Sequence, residues 1–115
     1  MKKKMGSKRT VVAAGWQPFA GTNTTIGVIA TTAQLDSGGV NRLASIGHDG
    51  LAMAIRPAHT AYDGDTLFAV CLPAETGQPV DLVALGYAAA EAVAEAVVRA
   101  VRAATPLHGI PAAGE

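Results

Sequence analysis

The sequence predicts an α/β fold in the order strand, helix, strand, helix. Three observations carry this. Two short apolar runs, within Thr24 to Thr32 and Leu67 to Leu72, have the length and β-branched content of strands. Two longer segments, Val40 to Ile55 and Pro79 to Ala104, repeat apolar residues at the spacing of one helix face. Turn signals separate them: Asp36-Ser37-Gly38-Gly39, the polar stretch His59 to Thr66, and "PAETGQP".

The first 22 residues are predicted to be a basic tail or linker, partly disordered, with room for a short strand around Val11 to Ala14. Trp16 and Phe19 within it read as a hydrophobic anchor or as a remnant. Residues 23–115 form the folded unit. The first strand opens on Asn23-Thr24-Thr25, and consecutive strand residues face opposite ways, so Thr24 and Thr25 point to different sides. Asp36 is placed to cap the following helix. On that helix Val40, Leu43, Ala44, Gly47, Leu51, Ala54 and Ile55 share a face, and Pro57 ends it. Gly47 and Gly50 weaken it, which makes sense where a helix packs closely on a neighbour.

The second strand is apolar at every position from Leu67 to Leu72, as in a sheet covered on both faces. Cys71 within it reads as a small core residue. The last helix starts at Pro79. Its polar stripe is Glu91, Glu95, Arg99 and Arg102, with Glu95 and Arg99 ordered for an i,i+4 pair. The opposite face is Val83, Tyr87, Ala90, Ala94, Val97 and Val101. Pro106 stops it. Two strands make a poor sheet, so the fold is expected to be completed by further strands from a partner chain or by a homo-oligomer.

The 115 residues fit one domain, half hydrophobic and 16% charged. Nine basic residues balance nine acidic ones, and five of the basic ones are Lys2, Lys3, Lys4, Lys8 and Arg9. That balance argues against a nucleic-acid partner, which needs a basic surface. No apolar run approaches the roughly 18 residues of a membrane span, so no membrane partner is expected. The single Cys71 allows no internal disulfide, and the apolar run after the basic start is too short for a signal peptide, so the expected location is cytoplasmic. No cofactor is expected. His48, Asp49 and His59 are metal-binding residue types in no familiar ligand spacing, so no metal site is assigned.

The stretches "GTNTTIGVIATTAQL", "HDGLAMAIRPAHTAYDGDTLFAV" and "ATPLHGIPA" resemble the C-terminal third of the L-aminopeptidase/D-esterase family, the DmpA-like self-processing peptidases of the N-terminal-nucleophile type. The resemblance runs from about Gly21 to the C-terminus. It implies a layered α-β-β-α sandwich of the DmpA/ornithine acetyltransferase-like kind, with this chain as the β-chain part. It also implies self-cleavage between Asn23 and Thr24, which frees Thr24 as the nucleophile of an acyl-enzyme. Asp63 and Asp65 fall on the pair that orients the nucleophile, with Asp65 the firmer match because serine-type members carry Ser at the first place. Thr25 and His59 are further candidates to line the site. Important oxyanion donors lie in the family's α-chain, outside this sequence. The implied substrate is a peptide or small amide.

The chemistry has its own logic. A hydroxyl is a weak nucleophile and needs a nearby base. A chain-terminal threonine carries one, because an α-amine has a pKa of about 8 and is partly neutral at pH 7. An internal Thr24 has no such amine, so cleavage must come first.

Against this stand plainer assignments. Thr24 can be a turn residue, and Asp63 and Asp65 a solvated Asp-Gly turn. His48, mid-helix, reads as structural. Two alternative functions are an acyltransferase, since "TTIGVIATTA" also resembles the ornithine acetyltransferases, and a non-catalytic fragment that only oligomerises.

Overall fold

The computed structural model describes residues 24–73 and 79–113. The tail, the short strand near Val11, Trp16, Phe19, Asn23 and most of "PAETGQP" lie outside them.

Five elements follow in order: strand β1 (Ile26–Thr31), helix α1 (Ser37–Gly47), short helix α2 (Asp49–Ala54), strand β2 (Thr66–Cys71) and helix α3 (Leu82–Ala103). The α/β order is as expected. β1 and β2 pair in parallel, from Ile26 opposite Thr66 to Thr31 opposite Cys71. A parallel pair needs a crossover, and α1 and α2 supply it.

Both strands alternate between exposed and half-buried positions. Gly27 and Ile29 turn toward the helices. The other face, with Ile26 72%, Val28 67%, Phe68 58% and Leu72 70% exposed, is apolar and bare. The expectation of a sheet covered on both faces therefore holds for one face within this chain. The unbroken apolar run in β2 belongs to a strand whose second face has no cover among the described residues.

Asp36 caps α1, its Oδ1 accepting the Gly39 amide at 2.7 Å. The single expected helix over Val40 to Ile55 is two. The break falls at His48, which keeps helical angles (φ −59°, ψ −27°) but ends α1 and precedes α2. Leu43 on α1 and Leu51 on α2 are fully buried, with Ala89 and Ala90 of α3 beside them. Gly50 permits this contact: a Cβ there would stand 2.4 Å from the Ala90 carbonyl oxygen. The close packing that the two glycines pointed to is present.

α3 begins at Leu82, not Pro79. Asp81 is the cap, its Oδ1 accepting the Val83 amide at 3.0 Å, and Pro79 instead pairs as an isolated bridge with Gln34. The buried stripe of α3 is also rotated from the expected one. Gly86, Ala89 and Ala90 are buried, whereas Val83 is 78% and Tyr87 69% exposed. Small residues face inward because α1 and α2 approach closely. The Glu95–Arg99 pair forms on the exposed side.

Candidate active site

The parallel register brings the starts of the two strands to one end of the sheet. Thr24 stands two residues before Ile26, and Asp65 one residue before its partner Thr66. The Thr66 amide donates to the Thr25 carbonyl at 2.9 Å, extending the ladder by one rung. The Thr25 amide then donates to Asp65 Oδ1 at 2.8 Å. A carboxylate thus closes the end of β1 where a further backbone carbonyl would otherwise be needed.

Thr24 is exposed and belongs to the bare face, whereas Thr25 is half-buried toward the helices. The two point to opposite sides, as strand alternation requires. The Thr24 hydroxyl lies against Gly64, where a Cβ would stand 3.0 Å from Oγ1. The absence of a side chain at position 64 leaves that oxygen its space. Among the described residues the Thr24 hydroxyl has no hydrogen-bond partner.

The two aspartates differ. Asp65 holds the backbone beside Thr24. Asp63 turns away: its Oδ2 accepts both the amide and the hydroxyl of Thr60, at 2.8 and 2.9 Å, and its own amide donates to the Thr60 carbonyl at 3.1 Å. Asp63 therefore ties a turn across residues 60–63. The structure brings Thr24, Thr25, Gly64 and Asp65 together, with Asp63 supporting the turn that presents them.

His59 is exposed, has a left-handed backbone (φ 58°), and stacks on His48 with ring centroids 4.7 Å apart and 28° between planes. His48 Nε2 lies 3.4 Å from the Asp65 carbonyl oxygen. The sequence placed His48 mid-helix; the structure places it at the helix break, against the turn that carries Asp65. The signal that finds it is the glycine on either side, Gly47 and Gly50, which marks a point where the helix yields. Gly64, between Asp63 and Asp65, reads in the sequence only as part of an Asp-Gly turn. Among the described residues no group of three or more His, Cys, Asp or Glu side chains is arranged to hold a metal ion.

A groove of about 430 Å³ runs between β1 and the second half of α3, lined by Thr25, Gly27, Leu51, Ile55, Val93 and Val97 among others. Its walls are almost wholly apolar, so it offers volume without polar groups to orient a reacting amide.

A strand opening on a hydroxyl residue, with a carboxylate on the neighbouring amide, thus stands at one end of a two-stranded parallel sheet in an α/β chain. The chain belongs to peptidase family S58, whose family model matches residues 1–113. It is similar to an uncharacterized aminopeptidase, Rv1333 of Mycobacterium tuberculosis, with 48% identity over 101 residues, covering 77% of this chain and 29% of that protein. An uncharacterized aminopeptidase of Mycobacterium leprae is 43% identical over 109 residues, covering 82% of this chain and 29% of its own. A 6-aminohexanoate-oligomer endohydrolase of Kocuria sp. is 37% identical over 90 residues, covering 70% of this chain and 25% of its own. The chain thus spans under a third of the length of these relatives. All three names are those of hydrolases, and none favours the acyltransferase alternative. No helix among the described residues is long and apolar enough to cross a membrane.

Proposed function

We propose that this chain is the nucleophile-bearing part of a self-processing peptidase or amidase. Thr24 Oγ1 attacks the Asn23 carbonyl carbon, the peptide bond breaks, and the threonine amine takes up a proton as it leaves. Water then hydrolyses the resulting ester. The freed α-amine becomes the base for Thr24's own hydroxyl. In turnover the hydroxyl attacks a substrate amide carbon and the amine product leaves with a proton. Water cleaves the acyl-enzyme to release the acid.

The observation that carries this reading is the placement of the Thr24 hydroxyl. It lies exposed beside Gly64, at a strand end that Asp65 holds through the next residue's amide. Asp65 orients the nucleophile, and Asp63 acts by shaping the turn. Thr25 and His59 line the approach.

An N-terminal α-chain, corresponding to the part of the relatives that this chain does not span, packs on the bare face of Ile26, Val28, Phe68 and Leu72. It supplies the second sheet of the sandwich and the oxyanion donors, each worth roughly 3 kcal/mol of barrier in acyl transfer. The substrate is a peptide or short amide oligomer, in keeping with the aminopeptidase and endohydrolase names of the relatives. The compartment is the cytoplasm, with no nucleic-acid or membrane partner.

The test is the intact mass of the purified protein after incubation at neutral pH, beside a Thr24→Ala control. The expected result is a new chain start at Thr24 that is absent in the control. Cleavage at the same bond in Thr24→Ala overturns the assignment.

A further inference from the structure

His48 stands on the rigid part of the molecule. Leu43 and Leu51, fully buried on either side of it in sequence, anchor α1 and α2, and Gly50 sits against the Ala90 carbonyl. From there its ring reaches the turn before β2. Nε2 lies 3.4 Å from the Asp65 carbonyl oxygen. A carbonyl can only accept, so the pairing is the one made by the tautomer that carries its hydrogen on Nε2. Asp65 in turn takes the Thr25 amide on Oδ1 at 2.8 Å. The contacts run from the His48 ring to the Asp65 backbone, through its carboxylate, to an amide one residue from Thr24.

The other side of the ring is occupied as well. His59 stacks on it at 4.7 Å between centroids. His59 does so from a backbone with φ 58°, which side-chain-bearing residues seldom adopt and which is kept only where the surroundings enforce it. The stack leaves the His48 ring little freedom to turn away from Asp65.

We propose that His48 is a positioning residue for Thr24: by holding the Asp65 carbonyl it sets the carboxylate that fixes the Thr25 amide, and His59 locks its ring. The inference rests on Thr24 being the nucleophile, but the contacts themselves are measurable without any activity.

The experiment compares wild type, His48→Ala and His48→Gln by amide hydrogen exchange and by the rate of Asn23–Thr24 cleavage. Glutamine keeps a side-chain N–H to offer the Asp65 carbonyl. In His48→Ala the Thr25 amide is expected to exchange about tenfold faster, the scale of one lost hydrogen bond, while the core amides of Leu43 and Ala89 keep their wild-type rates. Cleavage slows in parallel, and His48→Gln restores most of both. An unchanged Thr25 rate in His48→Ala overturns the proposal. So does acceleration of Leu43 and Ala89 together with Thr25, which marks general destabilisation, or cleavage at the wild-type rate despite a loosened Thr25 amide. A glutamine variant as impaired as the alanine variant overturns the hydrogen-bond role. If the wild-type chain does not cleave, the exchange comparison alone decides whether His48 holds the Asp65–Thr25 contact.

Discussion

The amide of Thr25 and the carboxylate of Asp65 meet at 2.8 Å across 40 residues of sequence. This contact ties the end of β1 to the turn before β2. It places a negative charge beside Thr24 without touching the Thr24 side chain. Structure and chemistry can therefore be separated at this point by substitution.

Asp65→Ala removes the acceptor and leaves the Thr25 amide to water. Because Asp65 is only half-buried, the cost is about 1 kcal/mol, below the range of a fully enclosed charged hydrogen bond. Asp65→Asn retains an oxygen for the amide and is expected to lose less. Urea denaturation of both variants measures this. If the charge orients the nucleophile, Asp65→Asn loses cleavage at Asn23–Thr24 although its stability is nearly kept.

Gly64→Ala tests the space beside Thr24. The new methyl would stand 3.0 Å from Oγ1, so the hydroxyl must move. The turn is exposed and the fold is expected to survive, while a displacement of a few tenths of an ångström lowers cleavage by about tenfold. A time course of intact mass reads the rate, and circular dichroism confirms the fold. Wild-type cleavage in this variant would mean that the position of the hydroxyl is not critical.

Gly50→Ala and Gly38→Ala form a contrasting pair. At Gly50 the added carbon meets the Ala90 carbonyl oxygen at 2.4 Å, and neither helix backbone can move aside cheaply. A loss of about 3 kcal/mol is expected in chemical denaturation. At Gly38 the nearest atom is Asp36 Oδ1 at 3.5 Å, an ordinary contact. Alanine there is expected to leave stability unchanged or raise it by about 0.5 kcal/mol through helix propensity.

Phe68→Ser addresses the bare face of the sheet. Phe68 is 58% exposed, so the chain's own stability is expected to change by no more than about 0.5 kcal/mol. Assembly with the family's N-terminal part, followed by sedimentation velocity, is expected to weaken markedly, because an aromatic side chain at a buried interface is often a main contributor to affinity. Unimpaired assembly would place the partner elsewhere.

Much of this fold was legible in the chain itself. The strands lie within two residues of their expected limits because β-branched runs between turn signals have few alternatives. The Asp36 cap and the Glu95–Arg99 pair are local contacts set by spacing. The rotation of α3 was not legible. In "YAAAEAVAEAVV" alanine is tolerated on any face, so periodicity leaves the buried side undetermined. Which residues turn inward follows from how closely α1 and α2 approach, and Gly86 and Ala90 allow that approach where Tyr87 does not.

The sequence by itself determined the element order, the alternation of Thr24 and Thr25 across a strand, and the candidate chemistry of a threonine at a strand entrance. These depend on short-range geometry and on residue type. Only the tertiary structure decided that Asp65 serves Thr25 while Asp63 serves Thr60, and that His48 and His59 stack beside them. Asp65 and Thr25 lie 40 residues apart, and their meeting is set by the parallel register of β1 and β2, which no local pattern encodes; the helix break at His48 then sets where the two rings lie.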